Sequence, residues 1–170
     1  MSDSVSIRKY LPGDLERICA VAVAAWRAIH EAWRRELPAD LYEMLHGGWE
    51  ARKTSAIRRF CGGHGDWVRV AVREGQVVGF ITFTLDRQRQ TGEIGNNAVD
   101  PAYQGQGIGQ RMYAQVLAIF EAEGMTYATV KTGGDPGHAP ARRAYEKAGF
   151  DIACPTVRYY RRLNRRPARA

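Results

Sequence analysis

Around Gly62-Gly63-His64-Gly65 the hydrophobic period of the chain changes from near four residues to two, so neither an all-helical nor an all-strand architecture fits both halves. Before that point, Leu15, Ile18, Ala22, Ala25, Ile29 and Trp33 recur at three- and four-residue steps, which predicts an amphipathic helix from Leu15 to about Glu36. A short alternating strand at Ser4 to Arg8 precedes it, and Pro12-Gly13-Asp14 turns the chain with Asp14 placed to cap the helix. Pro38 interrupts the helix. Asp40 then caps a second helical region with Leu41, Met44, Leu45 and Trp49, weakened at Gly47-Gly48, and Ala51 to Phe60 continues as helix until Gly62-Gly63-His64-Gly65 ends it. After the change of period, Trp67 to Arg73 and Gln76 to Leu85 read as strands joined by a Glu74-Gly75 turn, and Glu93 to Val99 as a fourth strand. Met112, Val116, Leu117, Ile119 and Phe120 mark a helix that ends at Gly124, and Thr126 to Thr132 is a β-branched strand. Ala139 to Ala148 is a helix stopped by Gly149, and Thr156 to Tyr160 has strand character. The order β-αα-βββ-α-β-α-β describes one mixed α/β (α+β) domain over residues 1–163, followed by a basic tail at 164–170.

Charge narrows the partners. The chain carries a net +7, but six arginines (158, 161, 162, 165, 166 and 169) lie after the last acid, Asp151, and the rest holds 19 basic against 18 acidic residues. The arginine-rich end lacks interleaved aromatics at its tip and reads as a solvated end rather than a nucleic-acid arm. The longest apolar run, Ile18 to Trp26, is less than half of the roughly 20 residues a membrane span needs. The N-terminus has no apolar signal core before Arg8 and Lys9, so nucleic acid and membrane are not expected partners and a cytoplasmic location is. Cys19, Cys61 and Cys154 are far apart, odd in number and without metal-ligand spacing to a histidine. They predict a reducing compartment and no metal site, with Cys19 a small core residue.

Chemistry concentrates in two segments. In Asn97 to Gln110, NAVDPAYQGQGIGQ, a strand ends at Val99, Asp100-Pro101 forces a turn, and glycines 105, 107 and 109 lead into a helix. Glycines admit an anion close to the backbone, and the unpaired N–H groups of a helix start favour a diphosphate there. The spacing is neither that of a Rossmann fingerprint nor that of a P-loop. The second segment, GHAPARRAYEKAGF from Gly137 to Phe150, places Tyr145 on a helix after the fifth strand. Its phenol, with an ordinary pKa of about 10, suits protonation of a leaving thiolate, although an aromatic at such a position also packs against a sheet.

Together these segments resemble the GCN5-related N-acetyltransferase (GNAT) superfamily. Gln104, Gly107 and Gly109 fill its Q/R-x-x-G-x-G/A coenzyme A loop, and Ala141, Tyr145, Glu146, Lys147, Gly149 and Phe150 match its N-x-x-A-x-x-x-Y-E-K-x-G-F segment. The resemblance covers nearly the whole chain and is strongest from Glu93 to Phe150. It implies a GNAT-like fold, a mostly antiparallel mixed sheet of six to seven strands flanked by helices. It also implies an acetyl-CoA-dependent N-acetyltransferase acting on a primary amine of a small molecule or protein, with coenzyme A as product. On this resemblance, Gln104, Gly105, Gln106, Gly107, Ile108, Gly109 and Gln110 hold the pyrophosphate. Ala98 and Val99 pair with the pantetheine arm, the Val99 N–H polarises the thioester carbonyl, and Tyr145 is the general acid.

Glu93 is at a place where some members carry a catalytic glutamate, and it is open between a base and a solvated strand-end carboxylate. Strict alternation places Glu93, Gly95, Asn97 and Val99 on one face unless a bulge intervenes, with Asn97 orienting a water or the substrate. His138 departs from the family, which has Asn at that position near the coenzyme A arm. Trp26, His30 and Trp33, with Tyr42 and Trp49, fall where the first helices approach the active strands, as an acceptor lining or as core. The family resemblance also implies a possible homodimer, although no interface is legible. The competing expectations are a non-catalytic acyl-CoA-binding sensor and a nucleic-acid module using the tail.

Overall fold

The computed structural model describes residues 4–163, so the proposed tail at 164–170 lies outside the described residues. Strand β1 (Ser6–Lys9) leads into helices α1 (Leu15–Glu36), α2 (Ala39–His46) and α3 (Trp49–His64). Strands β2 (Val68–Arg73), β3 (Gln76–Asp86) and β4 (Thr91–Val99) follow, then helix α4 (Ile108–Ala122), strand β5 (Tyr127–Val130) and helix α5 (Ala139–Lys147). The five strands form one sheet in sequence order, antiparallel except for the parallel β4–β5 pair that α4 connects.

Alternation along the strands divides the core into two layers. Ile81, Phe83 and Ile94 pack with Ile108, Met112, Val116 and Phe120 of α4 and with Tyr145 of α5. On the opposite face, Val68, Val70, Phe80 and Ala98 meet Ile18, Val21 and Ala22 of α1 and Ile57 and Cys61 of α3. Gly92 marks how tightly the first layer closes, because a Cβ there would fall 2.4 Å from the Phe120 ring.

Three expectations are corrected. The sheet has five strands among the described residues, not six to seven: Asp151 to Leu163 has no partner strand, and Val157 and Tyr159 are 71% and 89% exposed. Strand preference is realised only on a surface that buries one face, and Pro155 lacks an N–H to donate to a ladder. Asp14 does not cap α1 through its side chain; its carboxylate accepts from the Leu11 N–H at 2.8 Å and pairs with Arg8 at 2.7 Å. Finally, a third helix begins at Trp49 and runs through Gly62-Gly63 to His64. Burial of Ile57 and Cys61 outweighs the low helix propensity of the two glycines.

One irregularity shapes the site. β3 pairs Ile81 with Asn97 but Phe83 with Ile94, so two residues on β3 span three on β4, and Gly95-Asn96 bulges opposite Thr82. A Cβ on Gly95 would fall 2.7 Å from the Thr82 hydroxyl oxygen. The bulge breaks the strict alternation: Asn97 shares the α4 face with Ile94, whereas Glu93 and Asn96 face the α1–α3 side. The β4–β5 pairing ends at Ile94–Val130, so Gly95 to Val99 have no strand neighbour on that edge among the described residues.

Candidate active site

The open edge of β4 runs into the glycine-rich loop. Asp100 shapes the turn: its N–H donates to the Val78 carbonyl at 2.8 Å, and its carboxylate accepts from the Ala102 N–H at 3.0 Å. The same carboxylate meets Arg17 of α1 at 2.5 Å, and the Arg17 Nε donates to the Val77 carbonyl at 2.9 Å, fastening α1 across the end of the strand. Amide directions alternate along a strand, so with Asp100 turned toward β3 the Val99 N–H points to the unpaired edge. Ala98 then turns its backbone polar groups toward β3. The Gln104 side chain donates to the Val99 carbonyl at 3.0 Å.

Gly105 and Gly107 have φ of +76° and +75°, and nothing lies within 4 Å of where their Cβ atoms would be. Left-handed backbone of this kind favours glycine, and here it leaves the entry of α4 uncovered. Gly107 is the N-cap residue, no side chain caps the helix, and its first turn holds no acid. The orphan N–H groups and the positive end of the helix dipole are therefore available to an anion. Gln106 accepts from Arg73 at 2.7 Å, and Gln110 donates to the Ala144 carbonyl at 2.7 Å, which ties the start of α4 to α5. Ile108 is buried beneath the loop, and Gly109 lies 3.8 Å from Tyr113 through the position of a Cβ.

Beside the open edge, Asn97 organises two tyrosines. Its amide nitrogen donates to the Gly95 carbonyl at 3.1 Å and to the Tyr145 hydroxyl oxygen at 3.1 Å, while its carbonyl oxygen accepts from the Tyr113 hydroxyl at 2.9 Å. Both amide hydrogens are thus committed, and the Tyr145 proton has only a 3.5 Å contact back to Asn97. Tyr145 is 8% exposed and packs 5.3 Å from the Tyr113 ring. Burial pushes its phenol pKa up, against the bonds from Asn97 and Tyr113, so it remains protonated at neutral pH. Burial likewise raises that of Tyr113.

A family model for the acetyltransferase (GNAT) family matches residues 26–150. The chain belongs to the GNAT acetyltransferase family. A curated relative, the N-alpha-acetyltransferase RimI of Mycobacterium tuberculosis, is 39% identical over 69 residues, and that match spans 41% of this chain and 40% of the relative. Among solved structures, the PaiA N-acetyltransferase of Thermoplasma acidophilum in complex with coenzyme A superposes with a TM-score of 0.70 at 18% identity, covering 88% of this chain and 91% of that one. A GNAT family acetyltransferase of Brucella melitensis in complex with acetyl-CoA gives 0.58 at 23% identity, covering 89% and 85%. At these identities the two structures show a shared fold.

The remaining expected positions of this GNAT chain divide between the two sides of β4. Glu93 is exposed on the α1–α3 side, across the strand from Tyr145. His138 sits at the start of α5, its Nδ1 2.7 Å from an Asp135 carboxylate oxygen and its ring 5.6 Å from Trp33. Trp26 reaches β4 through Lys53, whose ammonium lies 3.6 Å above its ring and donates to Asn96 at 3.0 Å. His30 instead stacks on Trp49 at 3.9 Å, approaches the Tyr42 hydroxyl at 3.5 Å and lines a cavity of about 220 Å³ with Arg27, Arg34 and Glu50.

Sequence reasoning missed Tyr113, Asn96 and Lys53. Tyr113 follows Met112 on the apolar stripe of α4, where only the fold reveals that its hydroxyl meets Asn97. Lys53 did carry a signal: it precedes Ile57 and Cys61 at four-residue steps, which places a cation on the buried face of α3.

Proposed function

We propose that this chain transfers the acetyl group of acetyl-CoA to a primary amine of a small molecule or protein by direct attack, without a covalent enzyme intermediate. The observation that carries the reading is the Asn97-centred pair of tyrosines beside an unpaired strand edge that leads into an uncapped helix start. Bound acetyl-CoA supplies the acetyl thioester. Backbone N–H groups from Gln104 to Gly109, with the first turn of α4, hold its pyrophosphate, and the loop's left-handed glycines leave room for that approach. The outward Val99 N–H suits an oxyanion donor, fixed in place by the Asp100 turn before any ligand arrives.

Tyr145 delivers a proton to the departing thiolate, and Asn97 holds the phenol so that this proton is not spent within the protein. Glu93 is the proposed base, accepting the amine's proton directly or through water. Its position across β4 from Tyr145 separates the group that takes a proton from the one that gives it. His138, turned toward Asp135, keeps a ring beside Trp33 where the family has Asn.

Thermal unfolding with acetyl-CoA, and with ATP and NAD as controls, tests the reading. A ligand at a hundred times its dissociation constant stabilises by about 2.7 kcal/mol, which for a chain of this size raises Tm by roughly 5–10 °C. The expected result is that rise with acetyl-CoA alone, followed by thiol release when the true amine is added. No rise with acetyl-CoA, or an equal rise with ATP, overturns it.

A further inference from the structure

Lys53 has no role in the scheme above, yet its surroundings are unusual for a lysine. Such side chains ordinarily lay their methylenes on apolar surface and leave the ammonium in water. Here the ammonium itself is partly buried: it lies 3.6 Å above the Trp26 ring of α1 and donates to the side-chain amide oxygen of Asn96 on β4 at 3.0 Å. No carboxylate is within ion-pair distance of it among the described residues. A desolvated cation facing an indole and a neutral amide is costly unless an anion completes it. Burial accordingly holds the Lys53 pKa down to about 8.

Position supplies the second argument. Two successive amides leave β4 on opposite faces, and the bulge sets which face each takes: Asn97 meets Tyr145 and Asn96 meets Lys53. The ammonium therefore stands level with the proposed transfer point, on the face that also carries Glu93. Of its three donors, Asn96 takes one and the Trp26 face meets the charge, leaving N–H groups for a ligand. A protonated amine would be repelled here, whereas a carboxylate would be held, and the same charge favours loss of the proton from an amine a few bonds away.

We infer that Lys53 is the anion-recognising group of the acceptor site, and that the acceptor is a small amino acid with a free carboxylate close to the amine it offers. This rests on the acetyltransferase reading and adds the substrate class to it. A protein N-terminus does not meet the requirement, because its first carboxyl is tied up in a peptide bond.

The experiment compares free amino acids with their carboxamides as acceptors, following thiol release from acetyl-CoA. The acids are expected to exceed the matched amides by about tenfold or more in kcat/KM, the scale of one charge-assisted contact. Lys53→Met should reduce that ratio to within about twofold, and Lys53→Arg should retain part of it. The rise in Tm with acetyl-CoA should be unchanged in both variants. Lys53→Gln is the second neutral variant should Lys53→Met fold poorly. Amides that match or exceed the acids in the unaltered protein overturn the inference, as does a preference that survives loss of the charge. If acetyl-CoA raises Tm but no acid is acetylated above background, the substrate class falls while the acetyltransferase reading stands. If acetyl-CoA does not raise Tm, both fall.

Discussion

Tyr145→Phe is expected to lower kcat by about a hundred- to a thousandfold, within the range that a positioned proton donor contributes. Acetyl-CoA should raise Tm of the variant as it does for the unaltered protein, because the loop from Gln104 to Gly109 is untouched. The substitution keeps the ring against Tyr113 and Phe150 and removes only the hydroxyl that Asn97 addresses. Stability should fall by about 1 kcal/mol, the cost of leaving one amide hydrogen of Asn97 without its partner. Since burial raises the phenol pKa, the unaltered enzyme should keep its proton donor at alkaline pH and lose rate through this group only above pH 10. Tyr113→Phe is a useful contrast: its hydroxyl supports Tyr145 and Asn97 but is not the proposed proton donor, so its loss should be smaller. Steady-state kinetics on the true amine decides the matter. A Tyr145→Phe variant within threefold of full kcat removes the phenol from the mechanism.

The helix that carries Tyr145 was legible in the sequence because a local motif marks it; the Tyr113 hydroxyl that meets Asn97 beside it was not. The change of hydrophobic period separated the helical first third from the sheet, and α1 was readable to its ends because Leu15, Ile18, Ala22 and Ile29 recur on one stripe. The glycine-rich helix entry was equally plain, since left-handed backbone and an open helix start need glycine in the chain itself. What periodicity conceals is register. The extra residue at Gly95-Asn96 moves Glu93 to the face opposite Asn97, and that shift depends on pairing with β3, sixteen residues away at Asn97–Ile81. The same limit explains Thr156 to Tyr160, whose alternation promised a strand although no face of it is buried. Lys53 shows the opposite failure. Its place on the stripe of Ile57 and Cys61 was visible, but only contact with Trp26 and Asn96 distinguishes a partly buried ammonium from a fully solvated one.

Lowering the pH from about 6.5 to about 4 is expected to remove up to about 3 kcal/mol of stability through His30 alone. His30 is 8% exposed between Trp49, Trp33 and Tyr42, and burial first, then the positive charges of His46, Lys53, Arg52 and Arg34, press its pKa down to about 4. In the unfolded chain the same imidazole titrates near 6.5. Between those values the unfolded chain binds the proton and the native one does not. Stability is therefore whole above about pH 6.5, falls as pH drops toward 4, and levels once the native ring also protonates. Burial displaces His46 in the same direction and adds to the slope. Asp14, whose carboxyl Arg8 holds below its ordinary value, contributes only at lower pH, so the two windows separate. Urea midpoints across this range should therefore decline steeply. His30→Phe keeps a ring against Trp49 without a titrating nitrogen and should flatten the decline, leaving the smaller slope of His46. Equal slopes in the two proteins would mean that the imidazole accepts its proton without breaking the α1–α2–α3 packing.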